Sequence, residues 1–162
     1  MRTRDEVQAE LDGNFKQLMD CLGQLTEEEL INAPSVGNWS VKDVIAHVWS
    51  WGDEALQTIK HWQKPRPWQA GVAYDDAWNE TQVAARRALP LINVVDGITG
   101  VHRRLVHQLD LADDQTLAQV GRAPWGDEMM LIDFIYWAAT HYAEHAAGLL
   151  EYQGHCLESD CN

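Results

Sequence analysis

The sequence predicts an all-α protein of one domain, with four long helices packed as an antiparallel bundle. Apolar residues recur at three- and four-residue spacing over four long stretches, which is the pattern of amphipathic helices. No run of alternating apolar and polar residues is long enough to indicate a useful strand. A chain of 162 residues has the size of a single domain. We therefore assign residues 1–154 to one helical-bundle domain and residues 155–162 to a C-terminal tail.

The first predicted helix runs from about Arg4 to Gly23. A stripe of apolar residues marks the side of this helix that faces the core: Val7, Leu11, Phe15, Leu18 and Leu22. Gly23 is a suitable C-terminal stop, because glycine readily adopts the conformations that end a helix. The segment 26–29, which reads Thr-Glu-Glu-Glu, has the form of a capping box and predicts one short turn. Residues 32–38 are predicted to form a loop.

The second predicted helix begins at Ser40. Serine is a preferred N-cap residue, and Asp43 at the third helical position favours the positive end of the helix. Apolar residues then continue along one side to about Gln63. The segment 64–67, which reads Lys-Pro-Arg-Pro, is expected to break the helix, because proline cannot continue the hydrogen-bond ladder.

The second half of the chain holds an extra short helix and the last two bundle helices. Residues 75–89 form the extra helix, between the second and third helices of the bundle. The third helix covers residues 91–109, and residues 110–127 are predicted to be mostly loop. The last helix runs from 128 to 153, and Gly154 is expected to end it.

Charge and composition limit the possible partners. The formal net charge is −13, and the 12 lysines and arginines are scattered. Binding to nucleic acid needs clustered basic residues, so we expect no nucleic-acid partner. No apolar run reaches about 18 residues, so we expect no membrane span, and the start of the chain lacks a signal-peptide core. The protein is therefore expected to be cytoplasmic. The odd number of cysteines, 3, does not suggest a disulfide framework.

Two histidines in the last helix are the most informative residues of the chain. His141 and His145 are four residues apart, so they lie one turn apart on the same apolar face. That spacing allows two imidazoles to reach one metal ion. His47 is a third candidate ligand, at the edge of the apolar side of the second helix. The residues alone leave three interpretations open: a metal site, a hydrogen-bonded polar core, or coincidence.

A metal site with three protein ligands would leave an open position for water, substrate or a thiol. Three imidazoles suit Zn, Ni, Fe or Cu. A bound divalent ion could lower the pKa of water, polarise a substrate oxygen or stabilise a thiolate. Trp51 shares a helix face with His47 and is the preferred pocket residue, together with Tyr142. Glu54 is the candidate acid, base or supporting residue, with an exposed carboxylate as the alternative interpretation.

Two motifs resemble those of the DinB-like (DinB/YfiT) proteins. The segment 37–47, Gly-Asn-Trp-Ser-Val-Lys-Asp-Val-Ile-Ala-His, resembles the motif that opens their second helix. The segment 140–145, Thr-His-Tyr-Ala-Glu-His, resembles the paired-histidine motif of their last helix. Their order and separation also match, so the resemblance spans nearly the whole chain. The segments 76–79 and 86–91 are similar to the ClbS/DfsB-like branch.

The resemblance implies a four-helix bundle with an up-down-down-up arrangement. It also implies a divalent metal, which His47, His141 and His145 would hold at the bottom of a cleft. Members of the family include thiol-dependent transferases that use bacillithiol, mycothiol or glutathione, a maleylpyruvate isomerase, and self-resistance proteins that inactivate reactive metabolites. Many are stress-induced, and homodimers are common.

Together these observations predict a metal-dependent enzyme, either a hydrolase or a thiol S-transferase, that acts on a small reactive electrophile. Its cofactors would be a divalent metal (Zn, Ni or Fe) and, for a transferase, a low-molecular-weight thiol. Its partner would be a small-molecule substrate. The alternative is a non-catalytic protein of the same fold that binds or sequesters a small molecule.

Overall fold

In the part of the chain that the structure describes, four long helices form the bundle and three short helices lie in the connections between them. The computed structural model describes residues 2–32, 34–64 and 71–159, and within these it leaves out the side chains of residues 34 and 154–159. The helices of this part of the chain are, in order, α1 (Arg4–Leu22), α2 (Glu27–Asn32), α3 (Val41–Lys60), α4 (Asp76–Arg87), α5 (Leu91–Leu111), α6 (Asp114–Leu117) and α7 (Leu131–Ser159). The predicted all-α class, with α4 as the extra short helix, is confirmed.

The helices α1 and α7 lie side by side and run in the same direction. Near their N-terminal ends, the guanidinium of Arg2 pairs with the carboxylate of Asp133. Near their C-terminal ends, the side-chain amide of Gln153 donates to the carbonyl of Cys21 at 2.8 Å. The first contact joins the N-terminal ends of the two helices and the second joins residues nearer their C-terminal ends, so α1 and α7 are parallel.

The helices α3 and α5 form the second parallel pair. The ring of Trp49 lies over Gly97, and one turn further on Gly52 faces Val101. In this pair also, residue numbers increase together along both helices. Because parallel neighbours cannot be joined by a tight turn, the chain between α3 and α5 must return along the bundle, and it includes α4.

The helices α3 and α7 run in opposite directions. The ring of Trp51 contacts Trp137, whereas His47, one turn earlier on α3, contacts His145, two turns later on α7. With α1 parallel to α7 and α3 parallel to α5, the bundle is up-down-down-up. This confirms the arrangement that the resemblance implied.

Two short hairpins lie mostly in segments that were predicted to be loops, but residues 128–130 of the second hairpin were predicted to begin the last helix. The first pairs β1 (Pro34–Val36) with β2 (Trp39–Ser40), and the second pairs β3 (Val120–Arg122) with β4 (Glu128–Met130). Strands of two or three residues are too short to show a period-two pattern, so the sequence does not reveal them. Gly37 adopts φ 57° in the first hairpin turn, a conformation that glycine reaches without strain.

The ends of the last helix differ from the prediction. The helix begins at Leu131 rather than at 128, because residues 128–130 belong to β4. It also continues past Gly154 to Ser159, so the prediction that this glycine ends the helix was wrong. The predicted break at Pro65 and Pro67 lies outside the described residues, as do residues 160–162 of the predicted tail.

The core lies between the four long helices, where apolar faces meet. Of the stripe predicted on α1, only Phe15 remains half-buried, and the other four residues are buried. The largest fully buried side chains include Leu11, Leu18, Ile45, Ile98, Leu105, Phe134, Ile135 and Tyr142. Within the described part of the chain, no helix combines the length and the apolar character that crossing a bilayer requires.

The start of α3 is fixed by a capping box. The hydroxyl of Ser40 accepts from the backbone N–H of Asp43, and the Asp43 carboxylate accepts from the backbone N–H of Ser40, both at 3.2 Å. We expect Ser40→Ala to lower the free energy of unfolding by about 1 kcal/mol, because the cap acceptor is lost. Urea denaturation would measure this. Ser40→Asn keeps an acceptor and serves as the matched control. Equal losses in both variants would contradict the capping role.

Candidate metal centre

The centre is built from two helices that fix the position of three imidazole rings. His47 lies two turns after the cap of α3, on the buried side of that helix. His141 and His145 lie one turn apart on the antiparallel α7 and face α3. The i, i+4 spacing and the antiparallel packing together place the three rings at one point.

The three rings are close enough to share one ion. The Nε2 atoms of His141 and His145 are 3.0 Å apart. The ring centroid of His47 lies 5.3 Å from that of His141 and 5.0 Å from that of His145. Each residue offers one nitrogen, and these three atoms all lie within 4.8 Å of one another. These distances are close to those that nitrogen ligands about 2.1 Å from a common ion would have, so only small movements would be needed.

Burial keeps the three imidazoles neutral. Desolvation, followed by the charge of His145, lowers the pKa of His47 to about 4. Desolvation also lowers the pKa of His145 to about 4. The pKa of His141 lies well below its ordinary value because of desolvation, followed by the charges of His145 and His47. Within the described residues, Nδ1 of His47 is buried and has no hydrogen-bond partner. Neutral imidazoles are the form that binds metals, so this set of donors fits a divalent cation.

Aromatic rings surround the histidines. Trp39 contacts His47 at 5.2 Å between centroids, and Trp137 stacks on His141 at 5.3 Å with an interplanar angle of 13°. Trp51 lies 6.4 Å from His141 and contacts Trp137 at 5.6 Å. These large side chains restrict the rotamers of the histidines and exclude water from one side of the cluster.

An open cleft reaches His47 from the side of α4. It has a volume of about 410 Å³. The lining residues are Val36, Gly37, Asn38, Trp39, His47, Asp76, Asn79 and Glu80. The cluster is therefore accessible to a small molecule through the space between the first hairpin and α4.

Comparison with family models matches residues 4–148 to the DinB superfamily. The chain belongs to the DinB superfamily. The match covers almost all of the helical bundle and includes the three histidines. This confirms the relationship that the two histidine motifs had indicated. No curated protein sequence matches the chain.

Solved structures resemble this DinB-superfamily chain in fold. YfiT from Bacillus subtilis, described as a probable metal-dependent hydrolase with an unusual four-helix bundle topology, superposes with a TM-score of 0.75. The two chains are 19% identical over 94% of this chain and 87% of YfiT. The colibactin self-resistance protein ClbS, in complex with double-stranded DNA, gives a TM-score of 0.75 at 16% identity, over 93% of this chain and 95% of ClbS.

A third similar structure is a mycothiol-dependent maleylpyruvate isomerase. Its TM-score is 0.74 at 12% identity, over 91% of this chain and 61% of the isomerase. At such identities, the three likenesses establish the fold of the DinB-superfamily chain and leave its substrate open.

The structure gives the two predicted pocket residues of this DinB-superfamily member different surroundings. Trp51 is close to His141, and its indole N–H donates to the side-chain oxygen of Asn79 on α4 at 2.9 Å. Tyr142 is 2% exposed and contacts Phe15 of α1, so it belongs mainly to the core. It also lines, with Trp51 and His141, a small cavity of about 10 Å³.

Glu54 lies on α3 two turns after His47. Its carboxylate accepts a hydrogen bond from the hydroxyl of Tyr74 at 2.9 Å. The ring of Tyr74 in turn contacts Trp51 at 5.6 Å. This position links Glu54 to the aromatic residues beside the cluster. Its predicted role as an acid, base or supporting group stays a prediction.

Trp137 is the residue that sequence reasoning missed. It stands one turn before His141 on the same face of α7, at the i−4 position. The same rule that paired the two histidines could have placed this ring beside them. The sequence indicated Asn79 only as part of a motif. Its hydrogen bond to Trp51 depends on how α4 packs against α3, and the sequence does not specify this packing.

We expect the metal-free protein to lose stability as the pH falls from about 7 to about 5. The folded state holds His47 and His145 with pKa values of about 4, below the ordinary value of 6.5. Below about 6.5 the unfolded chain therefore binds protons that the folded chain does not, and unfolding is favoured. Each such histidine contributes a slope of up to about 1.4 kcal/mol per pH unit.

Urea midpoints of the metal-free protein at several pH values in this range would measure the effect. His47→Gln should reduce the slope, whereas His107→Ala, at an exposed position on α5, should leave it unchanged. A midpoint that does not vary between about pH 7 and 5 would contradict neutral, buried imidazoles.

Proposed function

We propose that this chain is a metal-dependent enzyme that acts on a small reactive electrophile, either as a hydrolase or as a thiol S-transferase. The observation that carries the proposal is the convergence of three neutral imidazole nitrogens within 4.8 Å, beside an open cleft. The likeness to YfiT, described as a probable metal-dependent hydrolase, supports the hydrolytic branch. The likeness to a mycothiol-dependent isomerase supports the thiol branch.

In this proposal His47, His141 and His145 hold the divalent metal, which is Zn, Ni or Fe. A bound divalent ion lowers the pKa of a water or thiol beside it and polarises a substrate oxygen. The protein contributes a neutral donor set, because burial keeps the three imidazoles unprotonated at neutral pH. The stacked ring of Trp137 fixes the orientation of His141.

The other site residues orient the substrate and move protons. In the hydrolytic branch, water forms the new bond to the electrophilic atom and loses a proton to a base, for which Glu54 is the candidate. In the thiol branch, a low-molecular-weight thiol loses its proton to the same base, and its sulfur forms that bond. In both branches the leaving group departs with its electron pair. Asn79 lines the cleft and accepts from the indole N–H of Trp51, so in this proposal the pocket residue Trp51 acts on the substrate through Asn79.

The proposed partner is a small molecule. The cleft beside His47 has the volume of a small ligand, about 410 Å³. A homodimer stays a prediction that follows from the family resemblance. The expectation that the chain does not bind nucleic acid also stays a prediction; a complex with DNA is known for ClbS.

Elemental analysis of the purified protein, after loading with Zn²⁺, Ni²⁺ or Fe²⁺ and removal of excess ions, tests the proposal. We expect about one ion per chain. The loaded protein would then be assayed with electrophilic substrates, with and without bacillithiol, mycothiol and glutathione. Turnover that depends on both metal and thiol would identify a transferase, and turnover without thiol a hydrolase.

Two results would contradict the proposal. Failure to retain any divalent ion would exclude a metal-dependent reaction. Stoichiometric metal and tight binding of electrophiles without turnover would favour the non-catalytic sequestering protein instead.

A further inference from the structure

Two neighbouring residues of α4 accept hydrogen bonds from tryptophans that contact the histidine cluster. Asn79 accepts from the indole N–H of Trp51 at 2.9 Å, and Glu80 accepts from the indole N–H of Trp39 at 2.7 Å. Each of these two indole rings contacts one of the three histidines. The helix α4 contributes no histidine to the cluster, yet it is connected to the cluster through both rings. The contact of Trp39 with His47 is the one that depends on a charged residue.

Packing, and not a hydrogen bond, orients the ring of His47. Histidines that bind metals usually have their second ring nitrogen hydrogen-bonded to a carboxylate or a carbonyl, and this bond fixes the ring. Nδ1 of His47 is buried and has no hydrogen-bond partner among the residues that the structure describes. In the same part of the chain, its ring contacts the rings of Trp39, His141 and His145. Trp39 is the member of this set that lies outside the cluster, so it supports the ring independently of the other two histidines.

The position of Trp39 depends in turn on Glu80. Trp39 is half-buried and lies in β2, at the end of the first hairpin. This hairpin consists of only two residue pairs, so its own ladder gives the side chain little support. The hydrogen bond from the indole N–H goes to a carboxylate, and hydrogen bonds to charged acceptors are stronger than those between neutral groups. We therefore expect Glu80 to fix the orientation of the indole ring.

The carboxylate of Glu80 is itself held by an ion pair. Its other oxygen accepts from the guanidinium of Arg87, two turns later on α4, at 3.3 Å. The same guanidinium donates to the carboxylate of Asp43 at 3.4 Å. Asp43 belongs to the capping box of α3 and lies one turn before His47. These bonds fix α4 to the start of α3 and thereby place the carboxylate of Glu80 where the indole N–H can reach it.

We propose that Glu80 is a positioning residue of the metal centre, which holds Trp39 against His47 and thereby keeps the His47 ring in the orientation that binds the ion. The inference rests on the proposed function, since it concerns a ligand of the same ion. Without the carboxylate, the indole ring can turn away and the His47 ring gains conformations. Metal binding must then restrict a ring that was no longer held, which weakens it. Trp39, His47 and Glu80 all line the open cleft, so the same device shapes the surface that a substrate meets.

NMR spectra of the metal-free protein test the position of the two rings. The indole N–H of Trp39 and the ring protons of His47 are assigned by their absence from the spectra of Trp39→Phe and His47→Gln. Glu80→Leu removes the acceptor, so the indole proton should move to higher field, and the His47 ring protons should shift because the indole ring beside them has moved. Glu80→Gln keeps an acceptor and should leave the His47 ring protons near their original positions. Unchanged His47 ring protons in Glu80→Leu would overturn the proposal.

The affinity for Zn²⁺, measured by competition with a chelator, tests the consequence for the ion. We expect Glu80→Leu to weaken Zn²⁺ binding about tenfold and Glu80→Gln to stay within about threefold of the parent protein. Glu144→Leu removes an exposed carboxylate on α7, beside His145 in sequence, and serves as the control for the lost charge. The visible spectrum of bound Co²⁺, which reports ligand geometry, should change in Glu80→Leu and not in Glu144→Leu. Equal losses of affinity in these two variants would overturn the proposal.

A double variant shows whether Glu80 acts through Trp39. Trp39→Phe cannot donate to the carboxylate, so adding Glu80→Leu to it should weaken Zn²⁺ binding no further, whereas additive losses would overturn the proposal. Glu80 is exposed, so leucine should leave the fold intact, as far-ultraviolet circular dichroism would show. Failure of the parent protein to bind Zn²⁺ or Co²⁺ would contradict the proposed function alone, because the NMR spectra of the metal-free protein test the position of the His47 ring separately.

Discussion

His145→Ala is expected to abolish tight binding of divalent metal ions while the fold stays intact. The ring of His145 lies 4.6 Å from that of His141 and 5.0 Å from that of His47. Loss of one of three imidazole ligands leaves two, which we expect to lower metal affinity by a factor on the order of 10³. The side chain is half-buried at the cluster, so alanine should cost little packing. Elemental analysis after dialysis would show the loss.

Two comparisons make this result specific. His107→Ala removes an exposed histidine on α5 and should retain full metal content. Far-ultraviolet circular dichroism and the Tm of the metal-free proteins would show whether His145→Ala is folded. Added metal should raise the Tm of the parent protein and of His107→Ala, and not that of His145→Ala. Stoichiometric metal in His145→Ala would rule out the three-histidine site.

The second large effect is expected at the contact between α3 and α5. A Cβ atom at Gly52 would lie 2.2 Å from a Cγ atom of Val101, far closer than two carbon atoms can approach. Gly52→Val should therefore force α3 away from α5 and lower the free energy of unfolding by about 3 kcal/mol. For a chain of this size the Tm would fall by roughly 6–12 °C.

A matched substitution separates crowding from the general effect of valine in a helix. Gly100→Val makes the same change on α5, where a Cβ atom would have no neighbour within 4 Å. We expect a change within about 0.5 kcal/mol there, because valine and glycine differ little in helix propensity. In the Gly52→Val protein, the second substitution Val101→Ala should recover part of the lost stability. Equal effects of the two valine substitutions would contradict the close approach of the helices.

Much of the histidine cluster could be predicted because its geometry is local. His141 and His145 are related by one helical turn, so their proximity follows from the helix alone. His47 needed one further condition, that α3 and α7 are neighbours, which the family resemblance supplied. The structure meets this condition through the antiparallel packing of the two helices. Whether the cluster binds a metal stays a prediction.

The connections could not be predicted in the same way. The pairing of β1 with β2, and of β3 with β4, involves only two or three residue pairs, which leave no periodic signal in the sequence. Gly154 illustrates the opposite error. Glycine often follows a helix. Inside a helix, however, glycine lowers the stability by only about 1 kcal/mol relative to alanine, and other contacts of α7 can outweigh this loss.

The parallel pairing of α1 with α7 has a consequence for how the chain folds during synthesis. The main neighbour of α1 is α7, which is synthesised after the other helices of the described part of the chain, and contacts such as Cys21 with Ala146 join residues 125 apart. Loop closure over such a distance is slow, and until it happens the apolar side of α1 has no cover. His141 and His145 arrive on the same late helix. The histidine cluster therefore assembles in the step that completes the core, and a nascent chain that stops before α7 exposes the hydrophobic surface that chaperones bind.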